Sequence, residues 1–208
     1  MSVMAHRDES ANRSAAHACD ADLCIQTRAA QEAIRLTRLG ARAGLVSQLT
    51  GLEKTVANRL YRQLHGRPSP SGQQPFSGTW YLKQDRRMAQ ATVVWQLSRR
   101  FARAEATPAQ RLIDVYETYL WLEAEPLLDI MRVAFVPHLV AAQEWQAQAC
   151  GQCGIEYVVP RGSLGNTCWG CRLYLRHRCR QCGAPLTVRP TGRHREVCSA
   201  CQRARHRQ

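Results

Sequence analysis

CGQCGIEYVVPRGSLGNTCWGC (150–171) and CRQCGAPLTVRPTGRHREVCSAC (179–201) decide how the last third of this chain folds. Each stretch opens and closes on a Cys-x-x-Cys pair. Cys150 and Cys153 are separated by 14 residues from Cys168 and Cys171; Cys179 and Cys182 are separated by 15 from Cys198 and Cys201. A Cys-x-x-Cys turn lets two thiolates converge on one tetrahedral metal ion, and the intervening residues suffice for a hairpin that brings the second pair across. Gly154 and Gly183 each follow a first pair, where such a turn needs positive φ. The spacing predicts two zinc ribbons, each holding a structural Zn2+. Four cysteines close the shell and leave no position for water, which argues against catalytic zinc. Iron in a four-thiolate site is chemically possible. Thioredoxin-type motifs are single and sit in a βαβ setting not found here, and disulfides would need an oxidising compartment. His177 and His194 could replace a ligand in the second site but read better as basic-surface residues.

Upstream of the ribbons the period is helical, so the fold class is mainly α: a helix-turn-helix-like domain followed by C-terminal four-cysteine ribbons. Ala33, Leu36, Leu39 and Ala43 share a face from Gln31 onward. In RAGLVSQLTGLEKTVANRLYRQL (42–64) a short helix ends near Leu49, Thr50-Gly51 makes a turn, and a longer helix runs from Leu52 to Leu64. Its inward face reads Leu52, Val56, Leu60 and Leu64. Its outward face offers Lys54, Thr55, Asn58, Arg59 and Arg62, side chains that reach base edges or phosphates in a major groove. An ordinary amphipathic pair with solvated charges fits the same pattern. A polar loop follows at 66–79. Three more helices are expected: Asp85 to Arg103; Thr107-Pro108 through about Glu123, with Leu112, Tyr116, Tyr119 and Leu120 inward; and one begun by Pro126 and kinked or divided by Pro137. The domains are then a flexible tail (1–30), the helical domain (31–148), a first ribbon (149–175) and a second, Arg-rich ribbon (176–208).

Charge points to a polyanion partner. The formal net charge is +13, carried by arginine apart from Lys54 and Lys83, and +9 of it falls on residues 150–208. Neutralising phosphates releases condensed counterions, so such a tail favours nucleic acid. Arg176, Arg178, Arg180, Arg193 and Arg195 are its candidate contacts. The start is polar, and the longest apolar stretch, Val133 to Gln143, is too short to span a bilayer. A cytoplasmic protein with no membrane partner is expected. Cys19 and Cys24 match no metal spacing and read as free thiols.

Several segments together resemble the FlhC family of flagellar transcriptional activators. They are IRLTRLGAR (34–42), LTGLEKTVANRLYRQLHGRPSPSG (49–72), PFSGTW (75–80), EPLLDIMRVAFV (125–136) and the first cysteine cluster with PRGSLGNTC (160–168). The resemblance implies a helical DNA-binding subunit that pairs with FlhD and activates promoters with RNA polymerase holoenzyme. It places the family's zinc ligands on Cys150, Cys153, Cys168 and Cys171. Two parts depart from it: YLKQDRRMAQATVV (81–94) and the whole second cluster. Similar proteins also activate conjugative-transfer genes, so both operon classes are open. The sequence thus favours a DNA-binding activator subunit over a ribbon module that docks on RNA polymerase without touching DNA. An enzyme is the weakest reading, since no nucleophile–base arrangement and no open metal position are present.

Overall fold

The computed structural model of the protein describes residues 20–72, 77–102, 105–186 and 196–205. Helix α1 (Ala21–Arg38) starts at an Asp20 cap whose carboxylate accepts from the Asp22 N–H at 3.0 Å. It begins ten residues before the apolar period, in the end of the 1–30 tail, where the sequence leaves room for a helix. Residues 21–28 are all exposed, so no core face demands a period there. Apolar spacing marks where a helix meets the body, whereas the cap marks where it begins. Cys24 lies on these turns and is disulfide-bonded, which corrects its reading as a free thiol. Cys19 lies outside the described residues.

Helices α2 (Ala43–Thr50) and α3 (Lys54–His65) end on the left-handed glycines Gly51 and Gly66, as expected. The α2–α3 turn is tied by the Ser47 hydroxyl, which donates to the Leu52 carbonyl at 2.7 Å. The buried face of α3 is rotated from the expected one. Ala57 and Tyr61 are its buried residues, Val56 and Leu60 are half-buried, and Leu64 is exposed. The small side chain of Ala57 lets α3 seat closely. His65 continues that row, with its ring nitrogen 2.8 Å from the Thr37 carbonyl oxygen on α1.

A short helix not foreseen in the sequence, α4 (Thr79–Leu82), leads into α5 (Asp85–Arg100). Gly78 explains the tight SGTW stretch, because a Cβ there would lie 2.6 Å from the Trp145 indole nitrogen. Trp80 is flanked by the Arg87 and Arg132 guanidiniums, 4.0 and 3.7 Å from its ring centroid. Helix α6 (Pro108–Leu122) has the predicted Thr107 cap, and its inner residues are Ile113, Tyr116 and Tyr119. Leu112 is half-buried, and Leu120 faces solvent rather than the core. The Thr107 hydroxyl accepts from the Gln110 N–H at 3.0 Å and donates to buried Glu32 at 2.6 Å. Thr107→Ala therefore removes a cap and a partner of a buried carboxylate. Urea unfolding should show a loss of about 2 kcal/mol.

Helix α7 (Ile130–Ala141) is capped by Asp129, whose carboxylate accepts from the Arg132 N–H at 2.8 Å; it does not start at Pro126. Residues before the cap are held instead by Gln90, which is fully buried on α5. Its amide nitrogen donates to the Glu125 carbonyl (2.9 Å) and the Glu123 carboxylate (3.1 Å). Its amide oxygen accepts from the Tyr119 hydroxyl (2.6 Å) and the Leu127 N–H (2.9 Å). Those bonds keep the chain extended until Asp129. Pro137 sits within α7 without ending it.

Strands β1 (Trp145–Ala149) and β2 (Glu156–Pro160) pair antiparallel, Trp145 opposite Pro160 and Ala149 opposite Glu156. Trp145 and Val158 belong to the main core with Leu36, Met88, Val94 and Ile113, so the hairpin of the first ribbon is continuous with the helical body. Helices α8 (Trp169–Leu175) and α9 (Ser199–Arg205) complete the described elements. Helix α5 packs against α4, α6, α7, α8 and β2, which makes it the central member. Among the described residues no helix is long and apolar enough to cross a membrane.

Candidate metal centres and nucleic-acid interface

The fold brings together each group of four cysteines that the spacing predicts. The Sγ atoms of Cys150, Cys153, Cys168 and Cys171 all lie within 4.8 Å of one another, as do those of Cys179, Cys182, Cys198 and Cys201. Metal–sulfur bonds of about 2.3 Å in an ideal tetrahedron set sulfur atoms about 3.8 Å apart. Cys153 and Cys168 are separated by 3.8 Å, and Cys182 and Cys198 by 3.6 Å. Both sets therefore fit a four-thiolate metal ion.

The second centre repeats the first bond for bond. In the first, the Cys150 N–H donates to the Ile155 carbonyl (2.9 Å) and the Gly154 N–H returns to the Cys150 carbonyl (2.9 Å). In the second, Cys179 donates to Ala184 (2.8 Å) and Gly183 returns to Cys179 (2.9 Å). Gly154 and Gly183 have φ of 74° and 70°, a conformation that lets each loop turn back under its sulfurs. The residue after the leading cysteine then crosses to the other arm: Gly151 N–H to the Asn166 carbonyl (2.6 Å), and Arg180 N–H to the Glu196 carbonyl (2.8 Å). Sulfur acceptors match as well. Cys150 accepts from the amides of Gln152 (3.4 Å) and Cys168 (3.2 Å); Cys179 accepts from those of Gln181 (3.4 Å) and Cys198 (3.2 Å).

These amides set the acidity of the leading thiols. Burial pushes Cys150 up, but the amides of Cys168, Cys153 and Gln152 outweigh it and bring the thiol down to about 6. At Cys179 the amides of Cys198 and Cys182 dominate, again giving about 6. The last cysteines move the other way. Cys171 is raised by burial and then by its sulfur neighbours. Cys201 is pushed up to about 12 by its contacts with Cys182 and Cys198. Four converging sulfurs cannot all ionise without a cation among them, which is the chemistry a thiophilic divalent metal supplies.

The two centres differ in their support. Around the first, Cys150, Cys168, Tyr157 and Val159 form a buried cluster joined by Trp169, whose indole N–H donates to the Val158 carbonyl at 2.8 Å. Helix α5 anchors this ribbon along one stripe. Gln96 donates to the Glu156 carbonyl (2.7 Å), Arg99 pairs with the Glu156 carboxylate (2.6 Å), and Asp85 meets Arg172 at 3.4 Å. In the second centre only Cys179 is buried among the described residues from Cys179 onward. The anchoring role of Asp85, Gln96 and Arg99 was missed in the sequence. Its signal is their shared helical face at positions 85, 96 and 99, next to Ala89 and Val93.

On α3, Lys54, Thr55, Asn58, Arg59 and Arg62 are all exposed on the side away from Ala57 and Tyr61. The arginines of the second ribbon are more varied. Arg176 is exposed; Arg178 donates to the Gly183 carbonyl (3.1 Å) and covers the Tyr174 ring; Arg180 pairs with Glu196 at 3.1 Å. Arg193 and Arg195, like His194, lie outside the described residues.

Comparison with known proteins agrees with this architecture. The family model described as "Flagellar transcriptional activator (FlhC)" matches residues 21–175. The flagellar transcriptional regulator FlhC of Pectobacterium carotovorum is 27% identical over 135 residues, covering 63% of this chain and 70% of that protein. FlhC of Yersinia enterocolitica is 26% identical over 141 residues (64% and 73%), and FlhC of Variovorax paradoxus 26% over 137 (64% and 68%). These relatives are transcriptional regulators rather than enzymes. The match takes in α1 through α8 and the first four-cysteine centre and stops before Cys179. The chain therefore belongs to the FlhC family of flagellar transcriptional activators, with a second four-cysteine centre beyond the matched region.

Proposed function

We propose that this chain is the DNA-contacting subunit of a cytoplasmic transcriptional activator. It pairs with a FlhD-like subunit on double-stranded promoter DNA of flagellar or conjugative-transfer operons and engages RNA polymerase holoenzyme there. Zn2+ occupies both four-cysteine centres in a structural role. The observation that carries this reading is α3: a helix that follows a tight turn and presents one basic and one amide-bearing exposed row. Lys54 and Arg62 suit phosphates, and Asn58 and Arg59 suit base edges. The family match supports the regulatory role.

The test is promoter binding by the metal-loaded chain with its partner, against random duplex in the same salt. Arg59→Ala should weaken promoter binding about 10- to 100-fold and leave random duplex nearly unchanged. Equal weakening on both would remove α3 from base recognition. A wild-type complex that failed to discriminate would sink the DNA-binding reading altogether.

A further inference from the structure

A cleft of about 860 Å³ lies between the first ribbon and the start of the second. One wall is the loop carrying Ser163, Asn166 and Thr167. Three guanidiniums line it as well: Arg172 on α8, Arg176 at its C-cap, and Arg180 inside the second Cys-x-x-Cys turn. Because Arg180 comes from the second ribbon, the cleft's third guanidinium is present only in a chain that carries that addition. We propose that this cleft binds the phosphodiester backbone of duplex DNA. The inference rests on the DNA-binding reading above and adds a second, sequence-independent contact to it.

Three features favour a phosphate chain as the occupant. Arg176 has no acidic partner among the described residues. Of the carboxylates that meet the other two, Asp85 stays with Arg172 at 3.4 Å as part of the first ribbon's seat, while the Arg180–Glu196 pair is more than half exposed on both sides. Exposed pairs of this kind are worth little and give way to a ligand of higher charge density. The hydroxyl and amide groups of Ser163, Thr167 and Asn166 are neutral donors of the type that contact phosphate oxygens. The surrounding chain has the same bias, with ten arginines against one glutamate from Arg172 onward.

The experiment measures binding of the full-length, metal-loaded chain to a random-sequence duplex as a function of salt. Each phosphate contact contributes about −0.9 to the slope of log K against log salt. Arg176→Gln should make the slope shallower by about 1. The triple variant Arg172→Gln, Arg176→Gln, Arg180→Gln should make it shallower by about 2 to 3, with promoter and random duplex weakened alike. Metal content of two ions per chain shows that each variant has kept its ribbons. Arg176→Gln decides the matter if the triple variant loses metal, because Arg176 makes no ion pair or side-chain hydrogen bond among the described residues. An unchanged slope in Arg176→Gln overturns the cleft as a phosphate site while leaving the α3 reading intact, including the case where polymerase recruitment falls instead. Absence of any salt-dependent binding by the wild-type chain overturns both.

Discussion

Cys150→Ser destabilises the whole protein, whereas Cys179→Ser releases only the residues beyond about 176. Both substitutions remove the leading ligand of an otherwise identical shell, so the contrast isolates what lies behind each centre. Cys150 is buried, and its sulfur takes two amide bonds that close the ribbon. A structural zinc site supplies folding free energy on the order of 10 kcal/mol, and losing it opens the β1–β2 hairpin. That hairpin contributes Trp145 and Val158 to the main core, and Trp145 packs edge-on against Tyr81 at 5.2 Å. Opening it therefore strips buried surface from α5 and α7. Cys179 is as buried and takes the same amide bonds, but among the described residues its ribbon adds nothing to the main core. In thermal melts followed by circular dichroism, Cys150→Ser should lower Tm by tens of degrees or prevent soluble expression. Cys179→Ser should leave the main transition nearly in place, with one metal ion retained per chain. A chelator titration of the wild type should remove the second ion well before the first. Simultaneous release of both, or a melt shifted equally by both variants, would show that the two ribbons fold as one unit.

Gln90→Leu is expected to be the most costly change within the helical body, at about 3 kcal/mol in urea unfolding. Leucine matches the volume closely, so the loss reports hydrogen bonding rather than a cavity. Four bonds disappear together, and the extended segment before Asp129 loses its attachment to α5. Tyr119→Phe probes the other end of the network. Its hydroxyl accepts from the amides of Leu127 and Leu128, both at 3.0 Å; without it the Leu128 N–H is stranded, while the Leu127 N–H keeps the Gln90 oxygen. A double variant should lose less than the sum of the singles, since both act on the same segment. A loss below about 0.5 kcal/mol for Gln90→Leu would mean that water replaces the amide freely, against its near-complete burial.

Much of this architecture could be read from the chain because short-range chemistry dictates it. Thr107-Pro108 sets the start of α6, Gly51 and Gly66 end α2 and α3, and cysteine spacing foretells both four-cysteine clusters. What escaped the reading was decided at long range. The start of α7 depends on Gln90, thirty-nine residues before Asp129, and no local pattern reports that bond. The inner face of α3 follows Ala57 because α1 lies close behind it, whereas leucine spacing alone favours the neighbouring row. Pro137 does not divide α7, which runs on to Ala141. The seat of the first ribbon on Asp85, Gln96 and Arg99 was hidden because polar residues at helical spacing read as a solvated face.

Helix α5 has neighbours on nearly every side, and this shapes how such a chain can change over generations. Asp85, Ala89, Val93 and Gln96 face the first ribbon, while Met88, Ala91, Val94 and Leu97 face the helical core. A substitution on either stripe has to be accommodated by a different part of the molecule, so the two parts are bound to vary together. Among the described residues, none of the second ribbon belongs to the main core, so a substitution there does not have to be accommodated by the interior.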